Sequence, residues 1–200
     1  MGSSVTNVYV HPTAIIDKEA SLGIGTKVWH FVHVMENAKI GKECVLADYV
    51  YVGRRVRIGN RVKLENRATV YEGVTIEDNV FVGPHVTFTN DLYPRSFNKD
   101  WKISPTLVKE GSSIGAGTVI VCGTTIGEYA LIGVGSVVTE NIPPHALAYG
   151  NPARIRGFVC RCSRKLETEE EKKNHFSMEC PVCSEKYEIP TEDYARIEKE

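Results

Sequence analysis

Apolar residues recur along this chain at a fixed spacing of six, and the residue two places before each is small or β-branched. The series runs from residue 10 to residue 88 and resumes from residue 108 to residue 138. Its members are Val10, Ile16, Leu22, Val28, Val34, Ile40, Leu46, Val52, Ile58, Leu64, Val70, Ile76, Val82, Phe88, Val108, Ile114, Ile120, Ile126, Ile132 and Val138. Neither the 3.6-residue period of a helix nor the two-residue period of a plain strand produces this spacing.

Two inward-facing residues, at i−2 and i, fit one short strand in each hexad because side chains alternate faces along a strand. Hexapeptide repeats are typical of a parallel β-helix, in which three hexads close one coil of about 18 residues. The twenty hexads therefore predict an all-β parallel β-helix, and a β-rich sandwich with coincidental spacing is the alternative. Glycine often follows the apolar position, as at Gly41 and Gly59, where we expect it to permit the backbone angles of corners.

The break in the series is a 14-residue insertion, since the next apolar position is 108 in place of 94. It leaves the repeat after Asn90 and runs from Asp91 to Trp101 as a polar and aromatic stretch. Long loops inside a compact repeat are uncommon and often functional. We expect this one to fold over a substrate or a neighbouring subunit, and a plain surface loop is the alternative.

Outward-facing polar residues should stack in columns, because adjacent coils lie about 4.7–4.9 Å apart and residues one full coil apart lie above one another. One predicted column contains Glu36, Arg54, Glu72 and Asn90, with Tyr71 beside it. A second column, on a neighbouring face, contains His30, Asp48, Asn66 and Pro84, with Glu65, His33 and His85 nearby.

Composition excludes several classes of partner. The 24 Lys and Arg residues nearly balance the 25 Asp and Glu residues, so no global positive field favours nucleic acid or an anionic membrane. No apolar run approaches the length of a transmembrane helix. The start, Met1 to Val5, lacks the features of a signal peptide, so we expect a cytoplasmic protein.

Several strings resemble a known family. Ile114-Gly115-Ala116-Gly117 and Gly150-Asn151-Pro152-Ala153-Arg154 resemble the left-handed β-helix acyltransferases. Val28 to Val34, Gly53 to Lys63 and Val82 to Arg95 look like nucleotide-sugar N-acetyltransferases that act on 3-amino sugars. The similarity covers roughly residues 8–157 and is closest to the UDP-2-acetamido-3-amino-2,3-dideoxy-D-glucuronate N-acetyltransferases, which serve surface polysaccharide synthesis. A related group that acetylates dTDP-3-amino-3,6-dideoxyhexoses is the alternative.

The resemblance implies a left-handed winding, acetyl-CoA as donor, a UDP- or dTDP-amino sugar as acceptor, and a homotrimer with active sites between subunits. It places Asn90 at the sugar amine, with Glu72 and His85 as candidate proton acceptors. The candidate acceptor-binding residues are Arg54, Glu65, Asn66, Tyr71, Asp91 and Arg95. The candidate donor-binding residues are Gly117, Cys122, Gly123, Gly135, Ser136 and Arg154, and Cys122 is expected to face outward.

The hexads stop after Gly157, so residues 158–200 are predicted to form a separate appendage. Cys160-Arg-Cys162 and Cys180-Pro-Val-Cys183 are two close pairs that resemble a zinc ribbon with four thiolate ligands. Disulfides are the alternative, His175 is a substitute ligand, and Cys44 is assigned to the core. The charged stretch from Ser163 to Asn174 suggests a solvated helix or mobile insert, and Thr191 is expected to cap a short final helix. We expect the ribbon to clamp a neighbouring subunit or the β-helix end.

Two other functions compete with acetyl transfer. A γ-class carbonic anhydrase shares the β-helix but needs three histidines on one zinc ion, for which His30, His33 and His85 are the candidates. A non-catalytic β-helix scaffold would use its ribbon to bind partners. Metal analysis tests the first alternative, and acetyl-CoA binding tests the second.

Overall fold

The computed structural model describes residues 7–198. The segment from Met1 to Val5, which was expected not to be a signal peptide, lies outside the described residues, as do positions 199 and 200. Among the described residues, no helix has the length and apolar character needed to cross a membrane.

Most strands are two residues long. They are β1 (Tyr9–Val10), β2 (Ile15–Ile16), β3 (Ser21–Leu22), β4 (Lys27–Val28), β5 (His33–Val34), β6 (Lys39–Ile40), β7 (Val45–Leu46), β8 (Tyr51–Val52), β9 (Arg57–Ile58), β10 (Lys63–Leu64), β11 (Thr69–Val70), β12 (Val74–Ile76), β13 (Phe81–Val82), β14 (Thr87–Phe88), β15 (Thr106–Val108), β16 (Ser113–Ile114), β17 (Val119–Ile120), β18 (Thr125–Ile126), β19 (Leu131–Ile132), β20 (Val137–Val138), β21 (Ala146–Gly150), β22 (Ala153–Phe158), β23 (Glu167–Glu171), β24 (His175–Glu179) and β25 (Lys186–Pro190).

Every third strand of the repeat joins the same parallel sheet. Sheet A has the order β1-β4-β7-β10-β13-β16-β19-β21-β22, sheet B has β2-β5-β8-β11-β14-β17-β20, and sheet C has β18-β15-β12-β9-β6-β3. β21 is still parallel to β19, whereas β22 turns back antiparallel on β21 and closes the solenoid. The prediction of an all-β parallel β-helix is confirmed, with about eight turns counted along sheet A.

The register confirms a coil of three hexads and the length of the insertion. Val34 pairs with Val52, and Val52 pairs with Val70, so each step between partners is one full coil. Across the insertion Phe88 pairs with Ile120, so this one step is longer by the inserted segment alone. The loop therefore adds to the repeat without displacing any strand.

The core is a single column of aliphatic side chains along the axis. The apolar residues of the series are buried from Val28 onward, among them Phe88 and Ile120 at 0% exposure, and Cys44 is buried with them as expected. Buried hydroxyls other than that of Thr106 donate to backbone carbonyls, as when Thr26 Oγ1 donates to the Gly41 carbonyl at 2.8 Å. Small partners leave room for their larger neighbours, and Phe88 is the one aromatic side chain that the repeat buries among the residues the structure describes.

The glycines after the apolar positions serve a different purpose from the expected one. Gly41 and Gly59 do not have positive φ, whereas the third position after the apolar residue does, and non-glycine residues such as Arg55 and His85 occupy it. A Cβ on Gly41 would instead lie 2.3 Å from the Gly59 carbonyl oxygen of the next coil. These glycines are needed because stacked corners approach closely.

The C-terminal appendage is an antiparallel sheet of β23, β24 and β25 followed by α1 (Thr191–Tyr194). The expectation of a helix or mobile insert over Ser163 to Asn174 is wrong, because residues 167–171 pair with β24. Thr191 is the first residue of α1 and does not cap it; Pro190 occupies that place without a side-chain hydrogen bond. Phe158, Leu166 and Ile189 belong to one continuous hydrophobic cluster with the β-helix, so the appendage packs on its end.

Candidate active site

The corner between sheets B and C, here the BC corner, carries the predicted acidic and basic column. Arg54 Nε donates to Glu36 Oε1 at 2.7 Å, and Arg55 Nε donates to Glu72 Oε1 at 2.7 Å one coil above. A cavity of about 260 Å³ beside the column is lined by Met35, Tyr51, Arg54, Tyr71, Glu72 and Asn90. The structure thus brings Arg54, Glu72, Tyr71 and Asn90 together.

Two tyrosines form the apolar side of this cavity. The rings of Tyr51 and Tyr71 meet edge to face with centroids 5.6 Å apart. The Tyr51 hydroxyl donates to Met35 Sδ at 2.6 Å, and burial raises the pKa of Tyr51 above its usual value. Tyr51 therefore presents a neutral hydroxyl and an aromatic ring beside the charged column. Sequence reasoning missed it, although its outward position in a strand next to Arg54 was a usable signal.

The insertion forms a second cavity on the other side of Asn90. This depression of about 480 Å³ is lined by Asn90, Asp91, Pro94, Arg95, Ser96, Asn98 and Trp101. Asp91 Oδ1 accepts the Tyr93 N–H at 2.8 Å and so shapes the first turn of the loop. Within residues 7–198 the guanidinium of Arg95 forms no ion pair and bonds only to the Pro94 carbonyl, at 3.0 Å. Asn90 is thus shared by two cavities, one of which holds an available cation.

The corner between sheets A and B, the AB corner, holds the other predicted acceptor and catalytic residues. His30 Nδ1 lies 3.1 Å from Asp48 Oδ1, so the second column stacks as expected. Glu65, Asn66 and His85 occupy this corner, and strand β14 separates His85 from Asn90. Within one chain these three residues do not line either cavity at Asn90.

Five of the six candidate donor-binding residues divide between the two corners, and Arg154 lies in β22. At the AB corner a Cβ on Gly117 or Gly135 would meet nothing within 4 Å, so this surface is open. Ser136 is fully buried, and its hydroxyl donates to the Gly133 carbonyl at 2.7 Å, so its side chain cannot contact a cofactor.

At the BC corner Cys122 is only 3% exposed, although it lies outside the core cluster, in the outward column that contains Asn90 one coil below. The expected outward position therefore holds, but the thiol is covered. The Cys122 N–H donates to Thr89 Oγ1 at 3.0 Å, and the returning end of the insertion passes beside neighbouring Gly123 at Ser104. Gly123 itself remains exposed.

Arg154 is not a free cation. Its guanidinium pairs with Glu140 at 3.3 Å and with Glu198 at 3.0 Å. Neither pair could be foreseen from a sequence pattern, because both partners are distant along the chain. A phosphate group at this position would have to displace a carboxylate.

The four cysteines of the appendage form a compact cluster. Their sulfur atoms all lie within 4.8 Å of one another, and Cys160 Sγ is 3.4 Å from Cys183 Sγ. Among residues 7–198 this is the one group of three or more His, Cys, Asp or Glu side chains suited to a metal ion. His175 lies outside it and contacts Glu188 at 3.5 Å. The predicted set of Cys160, Cys162, Cys180 and Cys183 is therefore brought together.

A hexapeptide-repeat family is among the known proteins to which this chain is similar, in agreement with the six-residue repeat. A family model described as bacterial transferase hexapeptide (six repeats) matches residues 55–90. The dTDP-3-amino-3,6-dideoxy-alpha-D-galactopyranose 3-N-acetyltransferase of Aneurinibacillus thermoaerophilus is 50% identical over 167 residues, which are 84% of this chain and 86% of that protein. The bifunctional protein GlmU of Thermotoga petrophila is 35% identical over 91 residues, 44% of this chain and 20% of that protein. Among solved structures, WeeI from Acinetobacter baumannii AYE has a TM-score of 0.50 at 26% identity, covering 73% of this chain and 56% of that one.

Proposed function

Because this chain belongs to the hexapeptide-repeat acetyltransferases, we propose that it transfers an acetyl group from acetyl-CoA to the 3-amino group of a dTDP-3-amino-3,6-dideoxyhexose. The relative that matches 84% of the chain is named for this class of substrate. This acceptor replaces the UDP-linked glucuronate that the sequence resemblance favours. The product would serve surface polysaccharide synthesis in the cytoplasm.

The observation that carries the proposal is the position of Asn90 between the two cavities. A sugar in the cavity beside Arg54 and a nucleotide under the insertion would meet at this side chain. A dideoxyhexose has no carboxylate, so we assign Arg95 to the pyrophosphate, whose oxygens a guanidinium binds bidentately. Tyr51 and Tyr71 offer apolar contact to the deoxygenated face of the sugar.

Acetyl transfer requires the amine as its free base. The amine nitrogen attacks the thioester carbon, the carbon–sulfur bond breaks, and the proton released from nitrogen balances the CoA thiolate. An amine with a pKa of about 7.7–8 supplies much free base at neutral pH without a strong protein base. The amide oxygen of Asn90 accepts a hydrogen bond from the amine and holds its lone pair toward the thioester. Glu72 is engaged by Arg55, which favours this positioning role over proton abstraction by Glu72.

Sheet B supports a homotrimer. Its outward positions are Ile15, His33, Tyr51, Thr69, Thr87, Val119 and Val137, with no lysine, arginine, aspartate or glutamate among them. Sheets A and C carry Lys27, Lys63, Lys39 and Arg57 at the equivalent positions. Packing sheet B around a threefold axis would bring the AB corner of one subunit to the BC corner of the next. Glu65, Asn66, His85 and the open glycines Gly117 and Gly135 would then face Asn90 of a neighbour.

We propose that the cysteine cluster binds one structural zinc ion. Tetrahedral zinc with zinc–sulfur distances of about 2.3 Å separates its sulfur ligands by about 3.8 Å. Three of the six sulfur–sulfur separations, 3.4, 3.6 and 3.9 Å, are close to this value, and all six are within 4.8 Å. An all-thiolate set leaves no open position, so zinc would stabilise the ribbon and take no part in acetyl transfer.

A substrate panel tests the acetyltransferase proposal. Purified protein with acetyl-CoA is assayed for thiol release with dTDP-3-amino-3,6-dideoxyhexoses, with UDP-2-acetamido-3-amino-2,3-dideoxyglucuronate, and without acceptor. We expect turnover with a dTDP sugar and a product N-acetylated at C3. Preference for the UDP sugar would contradict the acceptor assignment. No turnover and no calorimetric binding of acetyl-CoA would support a scaffold instead.

A further inference from the structure

One tyrosine of the appendage contacts both the cysteine cluster and the β-helix. Tyr187 Oη lies 3.2 Å from Cys160 Sγ and 2.5 Å from Glu185 Oε2, and it accepts the Arg161 N–H at 3.1 Å. Its ring packs on the His145 ring with centroids 4.6 Å apart. Tyr187 is therefore fixed at one end by a candidate metal ligand and at the other by the last turn of the solenoid.

The contacts beyond His145 extend into the β-helix. The His145 ring stacks on Tyr129 at 5.4 Å and 14°, and the Arg161 guanidinium lies 4.9 Å from the centroid of the same Tyr129 ring. His145 Nδ1 lies 2.9 Å from the Val159 carbonyl oxygen, and the Val159 N–H donates to the His145 carbonyl at 2.7 Å. Val159 directly precedes Cys160, so the backbone that supplies the first thiolate is bonded to the same histidine.

We propose that Tyr187 is a positioning residue that couples metal binding at the four cysteines to the packing of the appendage on the last coils of the β-helix. This rests on the proposed zinc ion. Partners outside the coordination sphere orient metal ligands, and their loss typically weakens metal binding by about 10–100-fold. The single hydroxyl proton of Tyr187 is donated to Glu185 Oε2 in this structure, and Cys160 Sγ lies 3.2 Å from the same oxygen of Tyr187. With metal bound, the Cys160 thiolate would share this proton with Glu185, while the Tyr187 ring stays against His145. Without metal, the pair Cys160 and Cys162 is no longer joined to the pair Cys180 and Cys183. The contact between the Tyr187 ring and His145 is then less well fixed.

Tyr187→Phe removes the hydroxyl with its contacts to Cys160, Glu185 and the Arg161 N–H, and it keeps the ring contact with His145. Tyr194→Phe is the matched control, because its hydroxyl contacts Thr168 Oγ1 at 3.0 Å and its ring stacks on Phe176, away from the thiols. Elemental analysis first establishes the metal content of the wild-type protein. Competition with a zinc-binding dye then measures affinity, and the thiolate-to-metal absorption of the cobalt-substituted protein reports on the sulfur ligands.

We expect Tyr187→Phe to lose zinc to the dye about 10–100-fold more readily and to alter the cobalt spectrum, with Tyr194→Phe unchanged. We expect His145→Ala also to lose zinc to the dye more readily, because coupling between two sites is reciprocal, and to exchange amide hydrogens faster over residues 142–158. Tyr187 variants that match Tyr194→Phe in affinity and spectrum would overturn the positioning role. A wild-type protein that neither contains nor takes up zinc or cobalt would instead refute the zinc proposal, and acetylation activity is scored separately from both.

Discussion

The backbone N–H of Ser104 donates a hydrogen bond to the carbonyl oxygen of Asn90 at 3.1 Å, and so closes the insertion where it opened. Two residues later, the Thr106 N–H donates to the Gly73 carbonyl at 3.1 Å, and sheet C continues in register. The backbone of Asn90 therefore belongs to the rigid repeat, while the loop after it covers the adjacent cavity. Catalysis by positioning is favoured by a residue on a fixed backbone together with a segment that covers the site.

Asn90→Ala should lower kcat on the order of 10²-fold, since small misplacement of reacting groups has effects of this size. The side chain is only partly buried, so the folded state should persist with an unchanged circular dichroism spectrum. Asn174→Ala, in the distant ribbon, is the control. Wild-type turnover by Asn90→Ala would remove Asn90 from the mechanism.

The pH profile should follow the substrate amine. We expect kcat/KM to rise with pH and level off above about 7.7–8, as the ammonium form loses its proton. The profile should be the same in His85→Ala, because the substrate amine supplies its own free base and needs no protein base. If the neighbouring subunit supplies His85 as a base, the variant will lose activity and its profile will change shape.

Arg95→Ala should raise KM for the nucleotide sugar by roughly 10–100-fold with a smaller effect on kcat, as expected for one charged hydrogen-bond donor. Lys99→Ala removes a charge from the same loop without touching either cavity at Asn90, and it should leave KM unchanged. Equal effects of the two variants would mean that only the net charge of the loop matters.

Gly41→Ala should destabilise the protein more than Gly135→Ala. The added Cβ at Gly41 would lie 2.3 Å from the Gly59 carbonyl oxygen, and overpacking of this kind costs about 1–3 kcal/mol or more. Gly135 has a φ of 65° but open space around it, and other corners accept non-glycine residues at this φ. Thermal unfolding of the two variants gives the comparison, and the reverse order would refute the close-approach explanation.

Asp78 should make the free energy of unfolding fall as the pH is lowered. The Asn60 side-chain and backbone N–H groups donate to its carboxylate, which lowers the pKa of Asp78. A lowered pKa adds stability above the unfolded value of about 3.9, and this contribution is lost as pH falls through the folded pKa. Wild type and Asp78→Asn should therefore differ most above about pH 4 and converge at lower pH. Asp100→Asn on the insertion is the control, and a difference that grows on acidification would contradict this explanation.

The repeat could be predicted from the sequence because each hexad contributes to the same core in the same way. Register, insertion length and the column of Arg54, Glu72 and Asn90 all follow from a constant period of three hexads. Burial of Cys122 could not be predicted, because the insertion that covers it has no period. The ion pairs of Arg154 also escaped prediction, since Glu198 reaches it only through the fold of the ribbon.

In the appendage, too, some features could be predicted from the sequence and others could not. The clustering of the four cysteines could be predicted from their two close pairs, because each pair supplies two metal ligands from one short segment. The strand at residues 167–171 could not be predicted from its charged composition. A small sheet with an exposed face tolerates glutamates, and a solvated helix tolerates them equally well. Its partner β24, not its own composition, decides the structure.

The most direct measurement is a crystal structure of the protein with CoA and a dTDP-3-amino-3,6-dideoxyhexose. We expect the sugar amine within about 2.7–3.2 Å of Asn90 Oδ1, with the CoA sulfur on the opposite side of the nitrogen and the pyrophosphate against Arg95. A sugar bound elsewhere, with its amine beyond hydrogen-bond reach of Asn90, would contradict the positioning role of this residue.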